Sequence, residues 1–438
     1  MNSKSLYYLL LGGMLRPQEI IVYSGETMRI TILTVGSRGD VQPFIALGIG
    51  LQRAGYKVQV ATESAFEAFV SEYGLEFAPL RAEFVQLAQS DKGKAAVSGK
   101  KSLSLIKQVM PMLRNMLDDA WDAAKDSDVI IYHPKSMAGQ HIAEKLDIPC
   151  FLAMVLPALS PTGAFSNPVF GGRNYGSYLN KLSYTLMLSA MFLPYRNMIN
   201  RWRAEKLGML PAKSDLKLHG QPIPKLYGYS QHVLSPLPDW DETTHVTGYW
   251  FLPSHADWQA PHALLSFLES GPAPIYVGFG SMASQDAKRL THKVLEAARV
   301  SKQRVVLATG WGGLVAAELP EHAYALQSAP HDWLFPRCAA VIHHGGAGTT
   351  GTGLQAGKPT LVCPFFGDQP FWGRRIYELG VGVDPIPQKK LTAENLAQSM
   401  LLLTNDTAMR QKAKALGERI RSEDGVAEVV KVIRSYLS

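Results

Sequence analysis

The chain has 438 residues, of which 46% are hydrophobic and 18% charged, the apolar content of a globular protein with a sizeable core. That balance excludes large-scale disorder, and the length makes two domains of about 200 residues each the natural expectation. Net charge is +7, from 44 basic and 37 acidic residues, with the bases scattered along the chain. This suits an anionic substrate or an acidic lipid surface; with no helix-turn-helix, zinc-finger or RNP-type signature, it gives no support for a nucleic-acid partner.

Residues 1–27 read as an extension outside the fold. Lys4 and the apolar run at 6–11 resemble a signal-peptide core, but no small-residue cleavage site follows, Arg16 interrupts, and the run is too short to span a membrane. Met28 is the expected functional start, since Met28-Arg29-Ile30-Thr31-Ile32-Leu33 opens a first strand. The loop Gly36-Ser37-Arg38-Gly39-Asp40 then leads into a helix starting near Val41-Gln42-Pro43. In this loop taken alone, Asp40 reads as the helix N-cap. A strand at 58–62, a helix at 64–73, a loop at 88–101 and a helix at 103–124 follow. Next come a strand at 129–132, a helix at 137–146 and a strand at 150–155, together a parallel, doubly wound domain. His133 stands at a strand end facing the crevice, where a partly buried structural role competes with ligand contact. Residues 157–206 are rich in Pro, Gly, Met and aromatics. Arg196, Arg201, Arg203 and Lys206 flank that stretch; a solvated basic face accounts for them, and contact with anionic headgroups is the alternative.

Periodicity breaks at Trp240 to Pro261, which places a linker at 241–262 between an N-terminal domain at 28–240 and a C-terminal domain at 263–438. The second unit opens with an apolar strand at 275–279. Its strongest pattern is Ala340-Val341-Ile342-His343-His344-Gly345-Gly346-Ala347-Gly348-Thr349-Thr350, a buried strand turning into a helix at 347–356. Free N–H groups and a positive dipole end make such a helix start an anion site, and glycines let the backbone approach closely. His344 is placed to donate to the same anion, with the Thr349 and Thr350 hydroxyls beside it. Asp368 and Gln369 follow the apolar run at 360–363, at the sheet edge where ligands of open α/β folds bind. A carboxylate and an amide beside a phosphate cradle suit a nucleotide-sugar. Gly346, Gly348 and Gly351 also satisfy the G-x-G-x-x-G dinucleotide fingerprint, but that fingerprint normally opens the first βα unit of its domain. Cys150, Cys338 and Cys363 form no C-x-x-C pair and read as buried reduced thiols in a reducing, cytoplasmic setting, too few ligands for a structural zinc.

His344-Gly345-Gly346-Ala347-Gly348-Thr349-Thr350 followed by Phe365-Phe366-Gly367-Asp368-Gln369 resembles the donor signature of GT-B glycosyltransferases of the UDP-glycosyltransferase family. Pro330-His331-Asp332-Trp333-Leu334-Phe335 and Pro134-Lys135-Ser136-Met137-Ala138-Gly139 are most similar to its sterol 3-β-glucosyltransferase branch, and Gly36-Ser37-Arg38-Gly39-Asp40-Val41-Gln42-Pro43 is similar to that branch and to bacterial antibiotic glycosyltransferases. The resemblance implies two Rossmann-like domains facing across a cleft, with the final helix crossing back to the N-terminal domain. It also implies inverting, metal-independent transfer of glucose from UDP-glucose to a sterol-like hydroxyl. Asp40 then takes the place of the general base. Ser37, Arg38, Gly39, Ser281, His344, Gly346, Ala347, Gly348 and Thr349 face the diphosphate, Ala329 and His331 the uracil, and Asp368 with Gln369 the sugar. Thr352 stands where plant relatives carry a ribose-binding glutamate. Acceptor contacts are expected from His133, Phe165, Met187 and Met191. The alternatives are another apolar alcohol (a carotenoid, hopanoid or polyketide) glycosylated from a UDP- or dTDP-sugar, a sugar-nucleotide epimerase, and an NAD-binding oxidoreductase.

Overall fold

The computed structural model describes residues 27–82, 103–255, 257–280, 287–309 and 319–437. The readings made for 1–26, for the loop at 88–101 and for Ser281 lie outside the described residues. Strands buried on both faces by flanking helices read in sequence as continuous apolar runs, and most strands here are of that kind. The first half of the chain supplies β1 (Arg29–Leu33), α1 (Arg38–Arg53), β2 (Lys57–Glu63), α2 (Glu67–Ser71), β3 (Glu76–Leu80) and α3 (Leu103–Ala124). It continues with β4 (Val129–Tyr132), α4 (Gly139–Leu146), β5 (Cys150–Met154), α5 (Ser177–Phe192) and α6 (Arg196–Trp202). A two-residue hairpin, β6 (Lys217–Leu218) and β7 (Gln221–Pro222), precedes β8 (Lys225–Tyr227) and β9 (Thr244–Val246). The main strands form one parallel sheet in the order β3-β2-β1-β4-β5-β8-β9.

The second half supplies α7 (His262–Glu269), β10 (Ile275–Gly278), α8 (Ala287–Ser301), β11 (Val305–Ala308), β12 (Ala323–Leu326) and α9 (His331–Leu334). Then follow β13 (Ala340–His343), α10 (Ala347–Gln355), β14 (Thr360–Val362), α11 (Gln369–Glu378), α12 (Ala393–Asn405), α13 (Thr407–Arg421) and α14 (Gly425–Leu437). Their parallel sheet runs β12-β11-β10-β13-β14. Each sheet therefore reverses direction beside its first strand, between β1 and β4 and between β10 and β13, and the carboxyl ends of those pairs are where a crevice opens.

β1 shows how the sequence packs. Ile30 and Ile32 face α1, meeting Phe44 and Leu47, while Leu33 faces α3 at Leu117 and Ala120. Thr31 is fully buried, and Ser127 satisfies it by donating from its hydroxyl at 2.7 Å. β3, β8 and β9 go beyond the sequence reading, and β9 lies inside the stretch read as linker. Glu76 and Pro79 interrupt β3, which together with β9 forms the two edges of the sheet. β8 begins with a buried Lys225 whose ammonium is held by the Thr243 hydroxyl at 2.9 Å and by Asp241 at 3.4 Å. Met137 takes a left-handed φ of 57°, which delays α4 until Gly139. The three cysteines are free and buried, and burial pushes the Cys150 and Cys338 thiols up to about 12.

The last helix leaves the second sheet and packs on the first. Val429, Val430, Val432 and Ile433 of α14 join the core cluster of Ile30, Ile32 and Phe44, and Arg434 donates to the Ala54 carbonyl of the α1 C-terminus at 3.2 Å. The apolar packing is also continuous across the domain interface, with Tyr229 and Trp372 rings at 5.9 Å and Phe165 and Phe371 at 5.3 Å. Among the described residues no helix is long and apolar enough to cross a membrane.

Candidate functional site

The first half-site forms where β1 ends. Gly36 takes a φ of +128°, and a Cβ there would stand 2.5 Å from Asp40 Oδ2, so a glycine is required on both counts. Ser37 is the N-cap of α1, and its N–H and hydroxyl both donate to Asp40 Oδ2, at 2.8 and 2.9 Å. The helix thus begins at Arg38, not near Val41, and Asp40 is its third residue, not its cap. An acid at this position reaches back to the cap residue, the capping-box geometry. Its second oxygen, Oδ1, accepts from Lys135 Nζ at 2.7 Å and lies 3.9 Å from His133 Nε2. The Lys135 N–H donates to His133 Nδ1 at 3.2 Å, which leaves the ring proton on Nε2, the nitrogen facing Asp40.

The electrostatics follow from this packing. Burial alone would raise the Asp40 carboxyl, but the charge and hydrogen bond of Lys135, with the Ser37 N–H, outweigh it and hold the group at about 2. Burial, and then Lys135, bring His133 down to about 3, so this imidazole is neutral at physiological pH. Lys135 is the residue that sequence reasoning missed. The only signal was its place in the strand-end motif Pro134 to Gly139, because it meets Asp40 across 95 positions of sequence.

The second half-site forms where β13 ends. His343 is fully buried and accepts the Gly345 N–H on Nδ1 at 3.0 Å. The next ring, His344, lies between two glycine backbones. A Cβ on Gly280, itself at a φ of +61°, would come within 2.9 Å of His344 Cε1, and one on Gly346 within 2.7 Å of Nε2. Burial lowers His344 to about 4. The ring is therefore neutral when empty, and an anion beside it would raise that value. Gly346 caps α10, and no side chain caps the helix, so the first-turn N–H groups of Ala347, Gly348 and Thr349 have no intrahelical partner. The Thr350 hydroxyl is buried with no hydrogen-bond partner among the described residues, and Thr352 donates back to the Gly348 carbonyl at 3.0 Å.

Asp368 caps α11 and accepts from Trp372 Nε1 at 3.0 Å. Burial raises its carboxyl to about 6, with Asp40 adding to the rise and Lys135 opposing it. The helices that carry the two half-sites, α1 and α10, pack against each other. Gln369 Oε1 accepts the Phe365 and Phe366 N–H groups at 2.7 and 3.3 Å; its oxygen holds the turn, leaving the amide NH2 as the group for a ligand. His331 stacks on Phe335 at 4.4 Å and shares a hydrogen bond with the Tyr276 hydroxyl at 3.3 Å. Burial brings His331 down to about 4, with Arg38 contributing from the opposite domain. Ala329 is partly buried beside it. Ser37, Arg38 and Gly39 are exposed on the rim, where the Arg38 guanidinium lies 4.4 Å over the Phe69 ring. Phe165 lines a cavity of about 750 Å³ between the domains. Met187, by contrast, is buried in the apolar cluster that continues across both domains, and Met191 packs partly buried against it. The G-x-G-x-x-G match follows β13, which is the fourth strand of its sheet in chain order, and not the opening βα unit a dinucleotide fingerprint occupies.

Residues 30–161 match the family described as Glycosyltransferase family 28 N-terminal domain, and residues 293–435 match Erythromycin biosynthesis protein CIII-like, C-terminal domain. A sterol 3-beta-glucosyltransferase of Emericella nidulans is 40% identical over 426 residues, which are 93% of this chain and 30% of that protein. A sterol 3-beta-glucosyltransferase of Arabidopsis thaliana is 37% identical over 454 residues, covering 96% of this chain and 70% of that one. The chain thus spans less than a third of the length of the fungal relative. Among solved structures, the glycotransferase of kitacinnamycin matches with a TM-score of 0.70 at 20% identity, over 93% of this chain and 99% of that one, a likeness of fold.

Proposed function

The chain belongs to the sterol 3-β-glucosyltransferase family and has the GT-B fold, and from that premise we propose that it transfers glucose from UDP-glucose to the hydroxyl of a sterol-like lipid with inversion. The observation that carries the reading is the contact of α1, whose first turn holds Asp40 beside Lys135 and His133, with α10, whose uncapped N-terminus forms the cradle at His344. The acceptor hydroxyl donates to Asp40 while its oxygen attacks the anomeric carbon. The new C–O bond forms as the bond to the diphosphate breaks, the proton passes to the carboxylate, and UDP leaves on His344 and the α10 N–H groups. In-line displacement, with the acceptor oxygen entering on the face of the anomeric carbon opposite the departing diphosphate, gives inversion. In this reading the donor needs no resident metal or cofactor, since helix N-terminus and imidazole face the departing charge. Peripheral contact with a lipid surface accompanies an acceptor of this kind.

The test is UDP release from UDP-glucose with and without cholesterol in detergent. Sterol-dependent release is the expected result. UDP-glucose binding with no sterol effect would retain the donor site and move the acceptor to another apolar alcohol; release without any acceptor would favour an epimerase-like or hydrolytic activity; no binding would overturn the reading.

A pH dependence follows from Asp368. Above about pH 6 its carboxyl is ionised and accepts sugar hydroxyls; below, it is protonated and that capacity falls. With Asp40 held near 2, only Asp368 of the two titrates there. The acid limb of kcat/KM for UDP-glucose is therefore expected near pH 6 in the wild type, and to disappear, at lower overall activity, in Asp368→Asn. An unchanged limb in the variant would assign it elsewhere.

A further inference from the structure

We propose that the outward face of α5 is a docking surface for an anionic phospholipid bilayer, with the arginine-lined mouth of the interdomain cavity at its rim. α5 is apolar on two sides. Its inner face buries Tyr184 and Met187, yet its outer face presents Tyr178, Leu179, Leu182 and Leu186, continued by Leu193, with Tyr178 78% and Leu193 61% exposed. Phe170 and Tyr175, in the loop leading into α5, extend the exposed surface towards the cavity that Tyr175 also lines. A helix that keeps several large apolar side chains on an uncovered face has an apolar partner to find.

The occupant follows from charge. Between Asp147 and Glu205 the sequence contains no acidic residue, but it contains Arg173, Lys181, Arg196, Arg201 and Arg203. Arg203 is buried against Glu144, Arg196 pairs with Asp215, and Lys181 lies 3.6 Å from Asp239, so not all of this charge is free. The cavity mouth adds Arg173 from the first domain and Arg374 and Arg375 from α11, against one acid, Glu378, which pairs with Arg375 at 3.3 Å. The buried Arg374 Nε has no hydrogen-bond partner among the described residues. An apolar helix face with basic residues near it, whose neighbouring acids Asp215 and Asp239 are engaged in ion pairs, matches the acyl and phosphate layers of an anionic leaflet, in which lipid-facing side chains insert and cations meet headgroups. The same geometry opens the cavity between Phe165 and Phe371 towards the bilayer. Naming the membrane as the source of the acceptor rests on the function proposed above, whereas the docking itself does not.

The experiment is flotation of the full chain with phosphatidylcholine vesicles, with and without phosphatidylserine, in the absence of UDP-glucose and sterol. Binding is expected with phosphatidylserine and to be lost at high salt. Leu182→Glu with Leu186→Glu is expected to weaken it roughly tenfold or more, and Arg173→Glu with Arg374→Glu by about fivefold per charge removed. Unchanged gel-filtration volume of both variants, and unchanged UDP release with detergent-dispersed acceptor by the leucine variant, establish that they fold. No wild-type binding, or equal binding by wild type and the leucine variant, overturns the proposal; so does a wild-type dimer that the leucine variant converts to monomer, which would make a second copy the occupant. Vesicle binding by a chain that releases no UDP would sink only the catalytic reading.

Discussion

Asp40→Asn is expected to lower sterol-dependent UDP release by roughly 10²–10⁴-fold, the range for loss of a positioned acid–base group, while UDP affinity stays unchanged. Asparagine is the informative replacement because its Oδ1 can still accept the Ser37 N–H and keep the start of α1 intact, whereas alanine would remove that capping-box bond. The change leaves Lys135 without its anion, a small penalty for an ammonium half exposed to water. A carboxylate held at about 2 is a weak base, so full proton transfer from an unreacted alcohol is unfavourable. The proton must move late, when bond formation to the anomeric carbon has made the hydroxyl acidic. Until then Asp40 orients the nucleophile, fixed by Lys135 on one oxygen and Ser37 on the other. Near wild-type turnover in Asp40→Asn would reduce the residue to a helix-start brace and return the base to solvent.

His344→Ala is expected to lower kcat by roughly 10²–10³-fold, the size of losing one donor to a developing anion, with a smaller weakening of UDP binding. The ring has no freedom to be replaced by a neighbour. Gly280 and Gly346 press on its two edges, so Gly346→Ala should displace it and reproduce much of the loss. Because burial keeps the empty ring neutral, the donor's diphosphate meets a hydrogen-bond donor first. As the leaving-group charge grows, the interaction strengthens, and that difference acts on kcat more than on binding. A loss confined to UDP affinity would mean the ring holds the ground state only. A variant indistinguishable from wild type in both measurements would remove His344 from the site, leaving the α10 N–H groups as the anion cradle. Thermal midpoints of both variants within a few degrees of wild type would show that packing is not the cause.

Much of the architecture was legible in the residues themselves. Val129–Tyr132 and Ala340–His343 are apolar throughout because both faces of a parallel sheet are covered, and glycine-rich turns after β1 and β13 mark the strand ends. Those turns set Asp40 and His344 just past β1 and β13, and the apolar run at 360–363 sets Asp368 and Gln369 past β14, the positions expected of ligand contacts in such folds. Edge and short strands were not legible: β3 carries Glu76 and Pro79, and β8 opens on Lys225, whose burial is tolerated only because Asp241 and Thr243 come round from a later turn.

What the tertiary structure alone decided is environment. Two aspartates of one residue type are held at about 2 and about 6, because one gains Lys135 from 95 positions away and the other is buried against Trp372. Gln369 turns its oxygen inward to a loop, and α5 hides Met187 while showing Leu186. A sequence specifies which residues are apolar, charged or flexible. Which of them share a dielectric and a partner depends on contacts between segments far apart in the chain, and protonation and exposure are set there.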